Sequence, residues 1–318
     1  MSDKVLVTGG AGFIGSHVCA LLRNQDRAVV VLDDLSTGFA SNLEGLGVEF
    51  VRGSVLDEQA LHSAMRGVDK IVHLAALPSV ARSVEEPLAT HHACATGTLL
   101  VLRAARAAGA RMVYGASSSA YGDQAAMQKH EALREDPLSP YAAAKLAGEL
   151  YCRSFARVYG MAIVVTRFFN VFGPRQSADN AYAGVVAAFC RALLRSEAPR
   201  INGDGLQSRD FTYVEDVVAG VLQCLDGTST GCETVNLAYG QACTVRDLWE
   251  QLAAAARQRQ PSVQIQAPIH APPRVGDVRH SLADPTRAKQ LFGFHPRIGF
   301  REGLLRTFDW YRSRTRKP

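Results

Sequence analysis

The chain has 318 residues, 47% hydrophobic and 20% charged, a balance that excludes a disordered polypeptide and fits a soluble globular one. Its 35 Lys and Arg against 30 Asp and Glu leave a formal charge of +5, much of it in the terminal Arg312, Arg314, Arg316 and Lys317. Such a tail reads as a solvated, frayed end, so neither a nucleic acid nor a membrane is expected as partner.

That length suits one large α/β domain or two closely packed lobes. The cysteines (Cys19, Cys94, Cys152, Cys190, Cys224, Cys232, Cys243) are scattered, without a CxxC pair or metal-like spacing. They are expected to be free thiols in a reducing compartment. The apolar run Lys4–Thr8 is too short for the core of a secretion signal, and no stretch approaches the roughly 18 apolar residues that span a bilayer. A cytoplasmic location is therefore expected.

In chain order, strand-like β-branched runs fall at Val5–Val7, Val29–Leu32, Val48–Val51, Ile71–Leu74, Met112–Tyr114 and Ile163–Thr166. They are apolar almost throughout rather than alternating, as in parallel strands covered on both faces. Helical segments such as Ser16–Asn24, Thr96–Ala108 and Tyr141–Tyr159 separate them. This alternation predicts a doubly wound parallel sheet, an α/β Rossmann fold, over about residues 1–172. Beyond Gly173 the rhythm becomes irregular, with helices at Ala183–Arg195, Glu215–Leu225 and Val245–Arg257 joined by loops rich in Gly and Pro. Residues 173–318 are expected to form a smaller α/β lobe interleaved with the sheet, with the ligand crevice at the carboxyl ends of the strands.

Directly after the first strand comes Thr8-Gly-Gly-Ala-Gly-Phe-Ile-Gly15, leading into a helix. Gly9, Gly12 and Gly15 are three apart, which suits a tight turn, close approach of a pyrophosphate and close helix–strand packing. The second strand ends at Asp33-Asp34. Asp33 is placed to accept hydrogen bonds from an adenosine ribose and to repel a 2′-phosphate, so NAD is expected rather than NADP.

Two further segments carry chemistry. Ser117-Ser118-Ser119-Ala-Tyr-Gly122 follows the fifth strand, and Ser139-Pro-Tyr141-Ala-Ala-Ala-Lys145 opens a helix. Tyr141 and Lys145 lie one turn apart on one helix face. A phenol with a pKa near 10 is a poor base at neutral pH. The Lys145 ammonium, together with an oxidised nicotinamide, is expected to lower that value, and Ser117 to hydrogen-bond the same reacting oxygen.

These segments, with Val31–Gly38, His73–Leu77, Arg167–Gln176, Ile201–Val217 and Pro273–Asp284, resemble the extended short-chain dehydrogenase/reductases, specifically the nucleotide-sugar epimerase/dehydratase branch, along nearly the whole chain. The resemblance implies an NAD-dependent enzyme with Tyr141 as active-site base, Lys145 positioning the phenol and the nicotinamide ribose, and Ser117 on the sugar O4. It implies cofactor contacts from Gly9, Gly12, Phe13, Ile14, Gly15, Asp33, Asp34, Ser54, Val55, Leu74, Ala75, Ala76 and Phe168. Asn170, Arg209 and Arg274 match positions that hold the nucleotide diphosphate, and Asp277 one that touches the nucleotide ribose. Arginine suits the task because a planar guanidinium grips phosphate with paired hydrogen bonds and keeps its charge. Without the family context, Arg209-Asp210 would read as a structural ion pair. Ser79, Ser118, Ser119, Ala183, Val185, Asn202 and Ser281 complete the expected substrate contacts. No metal is implied, and helices 96–108 and 141–159 are expected to pair across a two-fold axis as a homodimer.

Dehydratases and decarboxylases of this branch usually carry an acidic residue directly after the active-site Ser or Thr. Here Ser118 and Ser119 follow, and a hydroxyl cannot do the acid–base work of eliminating water. The triple serine resembles the 4-epimerases, which pass through a 4-keto sugar and regenerate NAD each cycle. Ser281 stands where epimerases restricted to UDP-glucose and UDP-galactose tend to have a bulky Tyr. A small side chain leaves room for an acetamido group at C2, and the stretch resembles bacterial UDP-N-acetylglucosamine 4-epimerases, as do Ser79–Ser83 and 180–183. UDP-GlcNAc and UDP-GalNAc are the expected pair, with the unsubstituted hexoses or a uronate as alternatives.

Three departures stand out. Cys94 replaces the usual Asn of the family's N-x-x-G-T motif, Ser54 replaces an Asp that meets the adenine amine, and Ala81 stands where relatives often have Pro. Cys94 is expected simply to pack. His91-His92 lacks further ligands and reads as a solvated helix start, His73 as a packing residue beside the cofactor, and Trp249 and Trp310 as core.

Overall fold

The computed structural model describes residues 3–178, 183–273 and 276–315. Its centre is a seven-stranded, wholly parallel sheet. Six strands are the expected ones: β1 (Lys4–Thr8), β2 (Ala28–Asp33), β3 (Glu49–Arg52), β4 (Lys70–His73), β5 (Arg111–Ser117) and β6 (Ile163–Phe168). The seventh, Cys232–Leu237, is one that the apolar runs do not show. It joins the edge beside β6, giving the order 232–237, β6, β5, β4, β1, β2, β3. The strand order reverses between β1 and β4, which opens a crevice at their carboxyl ends.

Burial explains the unbroken apolar runs. Val5 and Val7 pack on one face with Val18, Leu22, Val217 and Val221, from helices Phe13–Asn24 and Val214–Asp226. Leu6, between them, packs on the other face with Val101, Leu102 and Tyr114, under helices Gly97–Ala108 and Pro140–Tyr159. Each such side chain removed from water contributes about 1.5–3 kcal/mol before chain entropy is set against it. Val214–Asp226 and Cys232–Leu237 both lie beyond residue 172, so the sheet layer draws on both halves of the chain. A third core, with Phe189, Trp249 and Phe308 fully or nearly fully covered, knits helices Val185–Arg195, Val245–Arg259 and Phe300–Thr315 into the smaller lobe. Trp310 packs partly buried against it.

That lobe carries a small three-stranded sheet in which Ser208–Asp210 lies between Ala242–Thr244 and His280–Ser281. The pairing sets Ser281 directly beside Arg209. No helix among the described residues is long and apolar enough to cross a membrane.

Helix Pro140–Tyr159 is fastened to β6 by charge. Arg167, fully buried, donates its Nε and one Nη to Glu149, itself fully buried, and pairs with Glu135 at 2.8 Å. Arg153 reaches the same two carboxylates. Removing the cation would strand buried carboxylate, a change that costs about 3–5 kcal/mol. Arg167→Ala is therefore expected to lower unfolding free energy by about that amount in a denaturant titration. A loss below about 1 kcal/mol, the range of an exposed pair, would show that this network does not secure the helix.

Candidate active site

The glycine loop fits a dinucleotide by close approach. Gly9 has φ +70°, and a Cβ there would meet the backbone nitrogen of Ala75 at 2.7 Å. A Cβ on Gly15 would lie 2.1 Å from the Gly9 carbonyl oxygen. Only hydrogen fits at either place. Helix Phe13–Asn24 begins at Gly12 with no side-chain cap and no acidic residue in its first turn. Its leading N–H groups thus suit a phosphate. Asp33, buried at the end of β2, accepts from the N–H groups of Ala11 and Leu35 at 2.9 and 2.8 Å. Burial raises its carboxyl above the ordinary value, against the pull of those N–H groups. Asp34 is exposed and accepts from Ser36 N–H. Ser54 accepts from Leu56 N–H, and Val55 is buried beside it.

Across the crevice Leu74, Ala75 and Ala76 follow β4. Here the Thr8 hydroxyl bonds His73 Nδ1 at 2.7 Å, His73 Nε2 meets the Thr98 hydroxyl at 3.0 Å, and Thr98 donates to the Cys94 carbonyl at 2.6 Å. His73 is fully buried and stacks on Tyr114 at 5.6 Å between centroids. Burial, aided by the nearby Lys145 charge, brings its pKa down to about 3, so it stays neutral. His91 and His92 are exposed, and no group of three or more His, Cys, Asp or Glu side chains suited to a metal occurs among the described residues. The seven cysteines are free thiols.

Ser139 caps helix Pro140–Tyr159 by accepting from Ala142 N–H, and Pro140 occupies the first turn, where no donor is needed. Tyr141 and Lys145 therefore project from its first two turns, against the end of β5. The Lys145 ammonium rests 4.4 Å from the centroid of the Tyr114 ring and is only 2% exposed. Burial lowers its pKa, opposed by the neighbouring Cys94 and by the Glu149 carboxylate. The Tyr141 phenol is raised, chiefly by burial and then by Cys94, against a hydrogen bond with Ser117. The lowering expected of the phenol belongs to Lys145 together with an oxidised nicotinamide; in the protein alone, desolvation of the phenolate holds it above its ordinary value. Cys94 is fully buried among Ala95, Ala144 and the flank of Tyr141, in a π-helical turn over His92–Thr96.

Beside Tyr141 lies a cavity of about 190 Å³. Its wall contains Ser117, Ser118, Ser119, Tyr141, Phe168, Asn170, Arg209, Asp277 and Ser281, bringing together nine of the expected site residues from distant segments. Ser119 donates its hydroxyl to Ser117 Oγ at 2.8 Å. Arg209 donates to Asp277 and to the carbonyls of Ser208 and Arg279. It does not pair with Asp210. That carboxylate is buried, accepts from the N–H groups of Tyr239, Gly240 and Ala283, and is pushed up to about 7 by burial.

Four expected substrate contacts stand away from this wall. Ser79 caps helix Val80–Glu85 through Arg82 N–H. Ala183 and Val185 lie at the start of helix Val185–Arg195, where Val185 packs on the smaller lobe's core. Asn202 ends a short strand, its carbonyl accepting from Gln207. Arg274 and residues 180–182 lie outside the described residues. The wall also includes Val80, Tyr121 and Lys129, which the motifs do not single out.

The NAD dependent epimerase/dehydratase family matches residues 5–238. The chain belongs to this family, and its cofactor is NAD. It is 36% identical over 319 aligned residues to UDP-glucose 4-epimerase of Mycolicibacterium smegmatis, covering 98% of this chain and 99% of the relative. Among solved structures it superposes on UDP-glucose 4-epimerase of Thermotoga maritima with UDP-glucose (TM-score 0.92, 36% identity, 98% and 99% of the two chains covered). It superposes comparably on UDP-N-acetylglucosamine 4-epimerase of Methanobrevibacter ruminantium M1 in complex with UDP-N-acetylmuramic acid (TM-score 0.91, 35% identity, 99% and 100% covered).

In the NAD-free protein, Tyr141 is expected to ionise above the ordinary phenol value of 10. The tyrosinate absorbance difference between wild type and Tyr141→Phe measures it. A titration complete below pH 10 would mean that the protein alone activates the phenol.

Proposed function

We propose that the protein is a UDP-hexose 4-epimerase whose site admits an N-acetyl group at C2, with UDP-GlcNAc and UDP-GalNAc as its pair. The observation that carries this is the composition of the cavity wall beside Tyr141. Its one carboxylate among the described residues, Asp277, is held by Arg209. Ser118 and Ser119 present only hydroxyls, so elimination from the sugar has no acid–base group to drive it.

When bound, NAD supplies a hydride acceptor and donor for C4 of the sugar. Gly9, Gly15 and the open start of helix Phe13–Asn24 hold its pyrophosphate, and Asp33 its adenosine ribose. The Tyr141 phenolate takes the proton of the C4 hydroxyl and returns it after the 4-keto sugar has presented its other face. Ser117 hydrogen-bonds the same oxygen and keeps it aimed at the phenol. Lys145, shut away from water on the same helix face, lends the phenolate its charge, and a cofactor cation adds to it. Arg209 and Asn170 hold the diphosphate, and Asp277 orients Arg209. Ser281, 6% exposed and small, leaves the space that an acetamido group needs.

We also infer a homodimer formed through helices Gly97–Ala108 and Pro140–Tyr159. Leu150, Tyr151, Val158 and Tyr159 on the second helix are 40–66% exposed, apolar surface that such pairing would cover.

Purified protein is expected to convert UDP-GlcNAc to UDP-GalNAc without added NAD, as followed by nucleotide-sugar chromatography. A 4-keto-6-deoxy product would refute the epimerase assignment. Tyr141→Phe is expected to lower kcat by about 10²–10⁴ while UDP binding persists. Ser281→Tyr is expected to abolish turnover of the N-acetyl pair and spare UDP-galactose. Equal loss for both would show that Ser281 does not gate C2.

A further inference from the structure

The hydrogen bonds around His73 leave its ring a single state. Thr98 has one hydroxyl proton, and it goes to the Cys94 carbonyl one turn back, at 2.6 Å. Toward His73 Nε2, at 3.0 Å, Thr98 can only accept, so the proton between them belongs to the ring. A neutral imidazole carries one N–H. Nδ1 is then an acceptor, and the Thr8 hydroxyl is its donor at 2.7 Å. Thr8 Oγ1 in turn accepts from Ala75 N–H at 3.3 Å. Four bonds thus run in one sense: Ala75 to Thr8, Thr8 to His73, His73 to Thr98, and Thr98 to the Cys94 carbonyl. Thr8, His73, Thr98 and Cys94 are all fully buried. Burial, with the Lys145 charge nearby, keeps a second proton off the ring.

Each end of this chain of bonds borders a working part of the site. Thr8 closes β1 and precedes Gly9, which approaches Ala75 so closely that a Cβ would meet its nitrogen at 2.7 Å. The bond from Ala75 to Thr8 holds the ends of β1 and β4 at that spacing. At the far end, Cys94 packs with Ala144 against Tyr141. Midway, His73 stacks on Tyr114. The Tyr114 ring carries the Lys145 ammonium at 4.4 Å, and its hydroxyl donates to the Lys145 carbonyl at 3.2 Å. Packing accounts for the stack but asks nothing of the two ring nitrogens. A buried polar chain with every partner satisfied fixes distances that apolar contact leaves looser.

We infer that His73 is a positioning residue, held as the Nε2–H tautomer, that sets the spacing between the dinucleotide loop and the helical turn behind Tyr141. The inference takes only the NAD cofactor as given and holds whichever sugar is turned over. Its first test is nitrogen NMR of the histidine rings in the full, NAD-free chain. The His73 signals are expected to show a protonated Nε2 and a bare Nδ1, unchanged between about pH 5 and 9. The opposite tautomer, or a titration within that range, overturns the proposal. The second test is calorimetry with NAD and, separately, UDP. His73→Phe keeps the ring and its stack but strands the Thr8 hydroxyl. It is expected to weaken NAD by about tenfold or more and to leave UDP, whose wall excludes His73, within about threefold. His73→Gln, whose amide sets a donor near the Nε2 position, is expected to recover part of the loss. Unchanged NAD affinity in His73→Phe would reduce His73 to packing and overturn the proposal. Should that variant fail to fold, Thr98→Val, which deletes the bond at Nε2 and keeps the volume, is read in its place with the same expectation. With NAD saturating, kcat is expected to fall about tenfold while KM for the UDP-sugar stays within about threefold. A tautomer and an NAD loss as expected, in a protein that turns over no UDP-hexose, would fail the epimerase reading and sustain this one.

Discussion

A lysine shut away from water, with an aromatic ring rather than a carboxylate beneath it, is the constraint on which this site rests. Lys145 cannot shed its desolvation cost onto an ion pair, because none is present among the described residues. Its favourable partners are the electron-rich face of Tyr114 and any negative charge that develops at Tyr141. The neighbours of Tyr114 preserve that arrangement. His73 stacks on it in its neutral form, and Gly148 leaves room for its hydroxyl, where a Cβ would come within 2.4 Å. The phenol beside them is raised by the same burial, so the pair is poised for a second positive charge to complete it.

The buried network of Arg167, Glu149, Glu135 and Arg153 serves the same end by another route. Glu149 stands one turn beyond Lys145, so the strand that anchors it also fixes the pitch and depth of the helix that carries Tyr141. Arg167 further lies over the Tyr121 ring at 4.5 Å, which links that anchor to the serine turn. The two hydroxyl-bearing elements that face one another across the cavity are thereby held to one strand, β6.

Much of this was legible in the sequence where structure is local. The apolar runs of β1 to β6 declare themselves because both faces of those strands are covered. Cys232–Leu237 escapes notice because its sequence, CETVNL, mixes polar and apolar residues: its first half lies at a partly open sheet edge, and only Val235, Asn236 and Leu237 are fully buried. The glycine loop, Ser117, Tyr141 and Lys145 are legible because each motif fits one backbone geometry. Lys129 is not, for its burial depends on Leu282 and Ala283, more than 150 residues away, in a stretch otherwise polar and exposed. The rise of the Tyr141 phenol is hidden for a related reason. Spacing shows that an ammonium is near, and only packing shows how little water is.

The π-helical turn at His92–Thr96 carries a consequence for how this chain can vary. It inserts one residue into the path between helices Pro87–His91 and Gly97–Ala108, and so sets the rotation of the second about its axis. With that rotation Thr98 reaches His73, and Gly97 clears Val55, whose methyl a Cβ would approach to 2.8 Å. Deleting a single residue there would turn the later helix by about 100°, the angle of one helical step, and carry Thr98 off the sheet. Length in this turn is therefore far less free to drift than the identity of its side chains, which is how a cysteine can occupy position 94 while the hydrogen bonds around it stay in place.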